Sequence, residues 1–378
     1  MARPVWIIAG ESSGDGYGAA VVRELRQIDP ALPVYAMGGE KMRSAGAEIV
    51  VDSTELGVVG IVEVLRKLPF FLGLLKRLSK RIAASRPQSV LLIDYPGFNL
   101  RLARRLRQAG IRVVWYISPQ VWAWKRGRIP KLAACVDKML CIFPFEPAVY
   151  EGSGLPTEFV GHPLLELLAE LRRGTRPREE NLVVLLPGSR GKELKAHLAL
   201  FLDCAEELKR RFPQLRFQMP LQRRSSLEQA KRLLEGRRLS RELSDSLEIT
   251  VGNARETMRR GTIGLAASGT VTVEAAILGL PLVVTYRLNW ITWQIARRLV
   301  KLKYVSIINL VMDAPVFEEK LQDRATVQEI VPALCRILPG GERAAEMPGL
   351  LAEFIRRLGG EAAVSRRVAR ELLLSTDD

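Results

Sequence analysis

Asp94 ends the apolar run Val90-Leu91-Leu92-Ile93 and is followed by Tyr95-Pro96-Gly97-Phe98-Asn99. A carboxylate leaving a buried strand at the carboxyl edge of a parallel sheet stands where α/β enzymes place catalytic groups. It is suited to take a proton from a substrate hydroxyl. Nearby cations would lower its pKa and partial burial would raise it. The plain alternative is a turn or capping aspartate for a helix beginning near Asn99.

Further segments set small and polar residues directly after apolar runs. Gly10-Glu11-Ser12-Ser13-Gly14-Asp15-Gly16 follows Val5-Trp6-Ile7-Ile8-Ala9. Its spacing is not GxGxxG, and no acid ends the next run near Val34–Met37, which disfavours a dinucleotide. Glu11, Ser12, Ser13 and Asp15 are instead candidate substrate contacts, the alternative being a capped strand–helix turn. Pro187-Gly188-Ser189-Arg190-Gly191-Lys192-Glu193 offers a glycine turn, a hydroxyl and a guanidinium suited to phosphate, without a Walker A pattern. In Ala267-Ser268-Gly269-Thr270-Val271-Thr272-Val273-Glu274, the Ser268, Gly269 and Thr270 loop would present donors at a helix N-terminus. Glu274 follows one helical turn later on the same face. Two phosphate-type loops in one domain favour a nucleotide there. Trp122 and Trp124, in Ser118-Pro119-Gln120-Val121-Trp122-Ala123-Trp124-Lys125-Arg126, could stack on sugars or meet lipid head groups; core packing is the alternative.

The elements that must position these residues are short apolar runs alternating with helical patterns. Strands are predicted near 5–9, 33–37, 89–93, 111–117 and 138–142, with helices near 14–27, 60–84, 99–109 and 144–151. Continuous apolar strands between helices indicate a parallel sheet covered on both faces. A polar stretch from Glu170 to Glu180 looks like a linker. The pattern then restarts, with strands near 182–186, 214–219, 247–251, 263–267 and 281–285. The expected domains are 1–165 and 166–378, the second ending in helices.

Composition narrows the class. Hydrophobic residues at 48% and charged residues at 26% exclude wholesale disorder. The net charge of +16 is local: residues 64–136 hold sixteen bases and one acid, Asp94. Four cysteines without a CxxC pair and two histidines make a structural zinc site improbable. No stretch approaches the length of a membrane span. Two segments combine bases with apolar residues in the manner of a helix on an anionic membrane surface. One runs from Val64 to Arg81 and includes Leu68, Phe70, Phe71, Leu72, Leu75, Lys76 and Arg77; the other runs from Trp290 to Lys303. A core helix with a solvated basic face is the alternative for each.

In order and spacing these motifs resemble the lipid-A-disaccharide synthase family, the inverting glycosyltransferases of lipid A assembly in Gram-negative bacteria. The likeness runs from Gly10 to Asn309. In the first half it rests on Gly10–Asp15, Gly60-Ile61-Val62-Glu63-Val64-Leu65, Ile93-Asp94 with Phe98-Asn99, Ser118-Pro119 with Trp122-Ala123-Trp124, and Phe159-Val160-Gly161-His162. In the second half it rests on Leu186–Arg190 with Glu193, Ala267–Thr270 with Glu274, and Tyr304-Val305-Ser306 with Asn309-Leu310. At Gly97 some family members carry an acid, a role this position does not fill.

The resemblance implies an α/β fold of two Rossmann-like domains facing across a cleft (GT-B type), with C-terminal helices returning to the first. It implies transfer from UDP-2,3-diacylglucosamine to 2,3-diacylglucosamine 1-phosphate (lipid X). The products would be the β(1→6) tetraacyl disaccharide 1-phosphate and UDP. Asp94 matches a catalytic carboxylate, and Arg190, Glu274 and Asn309 match residues essential for activity or nucleotide contact. Together with the residue reading, UDP-sugar would lie on Gly188, Ser189, Arg190, Ser268, Gly269, Thr270, Glu274 and Asn309. The acceptor would lie on Glu11, Ser12, Ser13, Asp15 and Trp124, with the basic apolar segment against the anionic inner membrane on its cytoplasmic side. No DxD motif is present, so neither metal nor cofactor is expected. A UDP-sugar 2-epimerase of the same fold and a basic nucleic-acid-binding protein are the competing classes; no RRM, KH or zinc motif favours the latter.

Overall fold

A computed structural model describes residues 3–53, 68–174, 177–287 and 303–374. The chain divides into two compact units, one of residues up to Pro163 plus the chain from Glu361 onward, the other Leu164–Gly360. The returning C-terminal segment departs from the expected 166–378 domain. The crossing at Pro163–Leu164 also precedes the expected linker. Glu170–Glu180 belongs to the second unit, where Ala169–Arg173 is helical and the Arg178 guanidinium donates to the carbonyls of Gly261 (2.6 Å) and Leu278.

The first unit is built on a parallel sheet in the order β3-β2-β1-β4-β5-β6-β7. Its strands are Val5–Ala9 (β1), Val34–Gly38 (β2), Glu48–Asp52 (β3), Ser89–Ile93 (β4), Val113–Tyr116 (β5), Lys138–Cys141 (β6) and Thr157–Phe159 (β7). β1, β4 and β5 are buried at every position, as central strands covered on both faces require. One face packs Trp6, Ile8, Leu92 and Trp115 under Leu74, Leu75, Leu78 and Ile82 of the helix Leu68–Ser85, and under Leu102 and Leu106 of the helix Pro96–Gln108. On the other face the helix Ser12–Ile28 packs beside the last helix, Val364–Leu373. That last helix buries Val364, Val368, Ala369 and Leu372. Ser89 Oγ (2.8 Å) and Gln88 Nε2 (2.6 Å) donate to the carbonyls of Leu372 and Leu373, satisfying helix-end acceptors.

The second unit repeats the plan, with strands Leu182–Leu186 (β8), Arg216–Leu221 (β9), Leu247–Val251 (β10), Ile263–Ala267 (β11), Leu282–Tyr286 (β12) and Glu318–Leu321 (β13) in the order β10-β9-β8-β11-β12-β13. The helix Gly191–Arg211 lays Leu194, Leu198, Phe201, Leu202, Ala205 and Leu208 on this sheet, the 3.6-residue spacing of an amphipathic helix.

Each sheet therefore reverses its strand order once, between β1 and β4 and between β8 and β11. Ligands of open α/β sheets bind outside the strand carboxyl ends at such a reversal. Register sharpens the point. Ala9 pairs with Ile93 and Ile93 with Tyr116, so Gly10, Asp94 and Ile117 leave the first sheet at one level.

Candidate active site

Asp94 and Tyr95 both adopt left-handed backbone conformations, with φ of 45° and 49°. Such residues cost on the order of 1–3 kcal/mol each and persist where the surroundings hold them. Here the Asp94 N–H donates to the Tyr116 carbonyl (2.9 Å), and buried Asn99 donates its Nδ2 to the carbonyls of Ile93 (3.2 Å) and Asp94 (2.7 Å). The bend swings the Tyr95 ring over Gly10: a Cβ at Gly10 would lie 2.4 Å from Tyr95 Cδ1, so only glycine allows this approach.

Asp94 is exposed as a residue, yet protein atoms crowd its carboxyl and its pKa is raised to about 6. Burial of the carboxyl among protein atoms is the larger cause and the charge of Glu11 the next, partly offset by the Tyr95 N–H. The basic residues of this region do not prevail over that burial. Glu11, Ser12 and Ser13 are exposed at the N-terminus of the helix Ser12–Ile28.

Asp15 is different and corrects an expectation. It is buried, and its carboxylate accepts from the N–H groups of Gly39 (2.7 Å), Lys41 (3.1 Å) and Met42 (3.2 Å). It ties β2 to the helix Glu40–Ser44, so its place is in the fold and not on the surface that Glu11, Ser12 and Ser13 present.

The two tryptophans after β5 part company. Trp122 donates Nε1 to Glu146 (3.2 Å) and meets Phe145 edge-on at 5.2 Å, which anchors the loop. Glu146 is buried, accepts also from Ile142 and Phe143 N–H (3.0 Å each), and burial raises its pKa to about 7. Nothing in its sequence surroundings marked Glu146. Trp124 is 44% exposed, with Lys125 Nζ 3.9 Å and the Arg128 guanidinium 5.8 Å from its ring centroid.

In the second unit a cavity of about 600 Å³ opens at the β8/β11 reversal, lined by Gly188, Ser189, Arg190, Ser268, Gly269, Thr270 and Glu274. The sequence-predicted loops thus meet in one place. Asn253, Arg255 and Tyr286 also line it and were missed; the Gly252-Asn253 turn after β10 was the available signal. Gly188 takes φ +118°, and a Cβ there would stand 2.5 Å from Glu193 Cβ. Glu193 accepts from Ser189 and Arg190 N–H (3.1 and 3.2 Å) in a capping box, leaving the Arg190 side chain 82% exposed. Glu274 accepts from Arg255 Nη2 (2.6 Å) and Nε (3.2 Å). Below them His197 is fully buried, its Nε2 accepting from Arg287 N–H (3.0 Å). Nδ1 therefore carries the proton and donates to the Glu193 carbonyl (2.8 Å). Burial holds the imidazole below its ordinary pKa.

Asn309 does not join this cavity's lining. It is 1% exposed; Nδ2 donates to Phe317 O (2.7 Å) and Glu319 Oε1 (2.9 Å), and Oδ1 accepts from Phe317 N–H (2.9 Å). Both amide donors and one Oδ1 lone pair are engaged in fixing the 306–319 turn, so its expected nucleotide contact is corrected to a positioning one.

The membrane-facing set also divides. Phe70 and Leu72 are about half exposed and Lys76 and Arg77 are exposed, but Leu75 is 3% exposed within the core and Phe71 packs against it. The Leu68 side chain, the 60–65 motif and residues 290–302 lie outside the described residues. Among the described residues no helix is long and apolar enough to cross a membrane, and no group of three His, Cys, Asp or Glu is placed to hold a metal.

Comparison with known proteins bears on this geometry. Solved structures share the fold at low identity. A UDP-GlcNAc 2-epimerase from Neisseria meningitidis matches with a TM-score of 0.64 at 13% identity, covering 98% of this chain and 99% of that one. The glycotransferase of kitacinnamycin matches with a TM-score of 0.63 at 15% identity, covering 98% and 99%. Closer in sequence are lipid-A-disaccharide synthases: that of Trichlorobacter lovleyi is 38% identical over 97% of this chain and 95% of its own length. That of Geobacter sulfurreducens is also 38% identical, over the same shares. The family profile described as lipid-A-disaccharide synthetase matches residues 5–371. With that match spanning both sheets and both reversals, the chain belongs to the lipid-A-disaccharide synthetase family and is a glycosyltransferase that forms the lipid A disaccharide.

Proposed function

We propose that the two strand-order reversals divide the work of this transfer, the second unit holding UDP-2,3-diacylglucosamine and the first unit holding lipid X. The cavity at β8/β11 takes the diphosphate, with Arg190 reaching it from the rim and the helix starting at Thr270 directing N–H groups toward it. Glu274, oriented by Arg255, addresses the ribose. Asp94 accepts the proton of the acceptor's 6-hydroxyl as that oxygen attacks the anomeric carbon, inverting it. Departing UDP gains negative charge, and each well-placed donor there contributes about 3 kcal/mol.

The observation that carries this reading is Asp94, a carboxylate at the first sheet's reversal with its pKa raised to about 6, toward the value a general base needs near neutral pH. Contact with the cytoplasmic side of the inner membrane, through Phe70, Leu72, Lys76 and Arg77, would bring both lipids within reach; neither a metal, a cofactor nor nucleic acid enters the scheme.

The test is UDP release on incubation with both lipids. Release should depend on lipid X, and Asp94→Asn should abolish it while binding of the UDP-sugar stays within about threefold. Release without acceptor, or normal turnover by Asp94→Asn, would overturn the assignment.

A further inference from the structure

We propose that Lys125 and Arg128, set around the half-exposed ring of Trp124, bind the phosphate of the acceptor sugar and so decide which of its hydroxyls meets Asp94. The proposal rests on the reading of Asp94 as the base acting on lipid X and adds the element that orients that substrate.

Charge is the first observation. Some arginines of this unit are neutralised by carboxylates, Arg107 by Asp137 and Arg112 by Glu371. Lys125, Arg126 and Arg128 have no carboxylate partner among the described residues; what Lys125 and Arg128 have is the face of Trp124, at 3.9 and 5.8 Å. An aromatic face attracts cations weakly and leaves their charge in place. The charge of this group therefore stays available to an anion. Arginine offers a planar fork for phosphate oxygens and lysine a mobile point charge.

Rigidity is the second. Lys125 is held at φ 62°, a conformation that lysine rarely adopts. The Trp122–Glu146 hydrogen bond and the Trp122–Phe145 contact pin the same loop from below. Trp124 is therefore exposed by an anchored loop.

Position is the third. Asp94 follows β4 and this loop follows β5, the neighbouring strand, with Ile93 and Tyr116 in register. Adjacent strands lie about 4.8 Å apart, the order of a pyranose ring. On the other side of Asp94, after β1, stands Glu11, whose charge acts on Asp94. Along the edge of the sheet the order is thus carboxylate, carboxylate, cations. A sugar with a phosphate at one end and a primary hydroxyl at the other has one favourable alignment there, since the reverse sets phosphate against two carboxylates.

A surface of anionic lipid presents the same phosphate chemistry, so the experiment separates the two sources. Turnover is measured in neutral detergent micelles with the 1-phosphorylated acceptor and with the same diacylglucosamine lacking the phosphate. The wild type should prefer the phosphorylated acceptor. The Lys125→Gln/Arg128→Gln variant should raise its KM for that acceptor by about 10–100-fold, the weight of lost charged hydrogen bonds. Its KM for the UDP-sugar should stay within about threefold, and its preference for the phosphate should vanish. Arg128→Lys, which keeps the charge, should recover most of the affinity. Equal preference in wild type and double variant would overturn the proposal. So would a defect seen only on anionic vesicles, because the cations would then be reading bulk lipid. Absence of acceptor-dependent UDP release in the wild type would overturn the underlying reading of Asp94, and this proposal with it.

Discussion

A carboxylate that must accept a proton near neutral pH works best with a pKa close to that pH. Asp94 reaches about 6 by burial and by the neighbouring charge of Glu11. Activity limited by Asp94 should therefore rise with pH up to about 6 and level off above it. Glu11→Gln removes a like charge and should carry that rising limb to lower pH, which a kcat/KM profile would read directly. An unmoved limb would mean that Glu11 does not act on the base. Stability follows the opposite sense. Because the folded pKa lies above the unfolded value, protonated Asp94 favours folding at low pH, and this contribution fades as pH rises through about 6. Asp94→Asn should accordingly not lower Tm at pH 7.5. Asp94 stood out in the sequence as a carboxylate ending an apolar strand, and the structure sets it where the first sheet reverses its strand order. Asp15 and Asn309 were misread for a physical reason: their types and neighbours are those of a ligand-binding residue, and only burial, with three hydrogen bonds each, shows that they are engaged in holding the fold.

At the scale of elements, the central strands were legible, and of the four edge strands only β10 was. β3, β7 and β13 all escaped the sequence reading, and all three stand at a sheet edge. Their sequences, Glu-Ile-Val-Val-Asp, Thr-Glu-Phe and Glu-Glu-Lys-Leu, carry the charges by which edge strands avoid pairing with other chains. In β13 the Lys320 side chain is nearly buried and held between Glu318 (3.3 Å) and Glu329 (3.1 Å), a pattern no hydrophobic run announces. The helix Leu68–Ser85 teaches a related lesson. Its apolar excess looks uniform in sequence, yet packing separates Leu74, Leu75, Leu78 and Ile82, in the core, from Phe70 and Leu72 outside. Leu75→Ser should cost about 2–5 kcal/mol in denaturant unfolding. Leu72→Ser should change stability by no more than about 0.5 kcal/mol while reducing sedimentation with anionic vesicles. Equal vesicle binding by Leu72→Ser and wild type would remove this face from membrane contact.

For the whole molecule, the charge of +16 is shared by both units, and only within the first is it gathered into one stretch, residues 64–136, with sixteen bases and one acid. Two Rossmann-like units were foreseeable from the restart of the strand–helix pattern near 182. The place where the chain crosses between them was not. Polar composition at Glu170–Glu180 reads as a linker, but Arg178 uses that polarity to bind carbonyls of its own unit. The C-terminal helix has a measurable weight. Removing residues 361–378 would expose the cover of four buried side chains and delete the Arg112–Glu371 pair. At about 1.5–3 kcal/mol per large apolar side chain, the loss rivals a domain's whole stability. Calorimetry of that truncation should show the first unit's transition lost and the second unit's retained; two intact transitions would refute the weight given to this helix.

The returning helix also bears on how the protein is made. A ribosome delivers residues 1–163 first, but their sheet lacks one of its covering helices until residues 364–373 are read. Residues 164–360 emerge as a contiguous segment and can complete their own core while the chain is still tethered. The order of synthesis is thus reversed in the order of completion. The unit bearing Asp94 is therefore completed after the unit bearing the β8/β11 cavity, and a chain stopped before residue 361 would carry Asp94 on a sheet with one face incompletely covered.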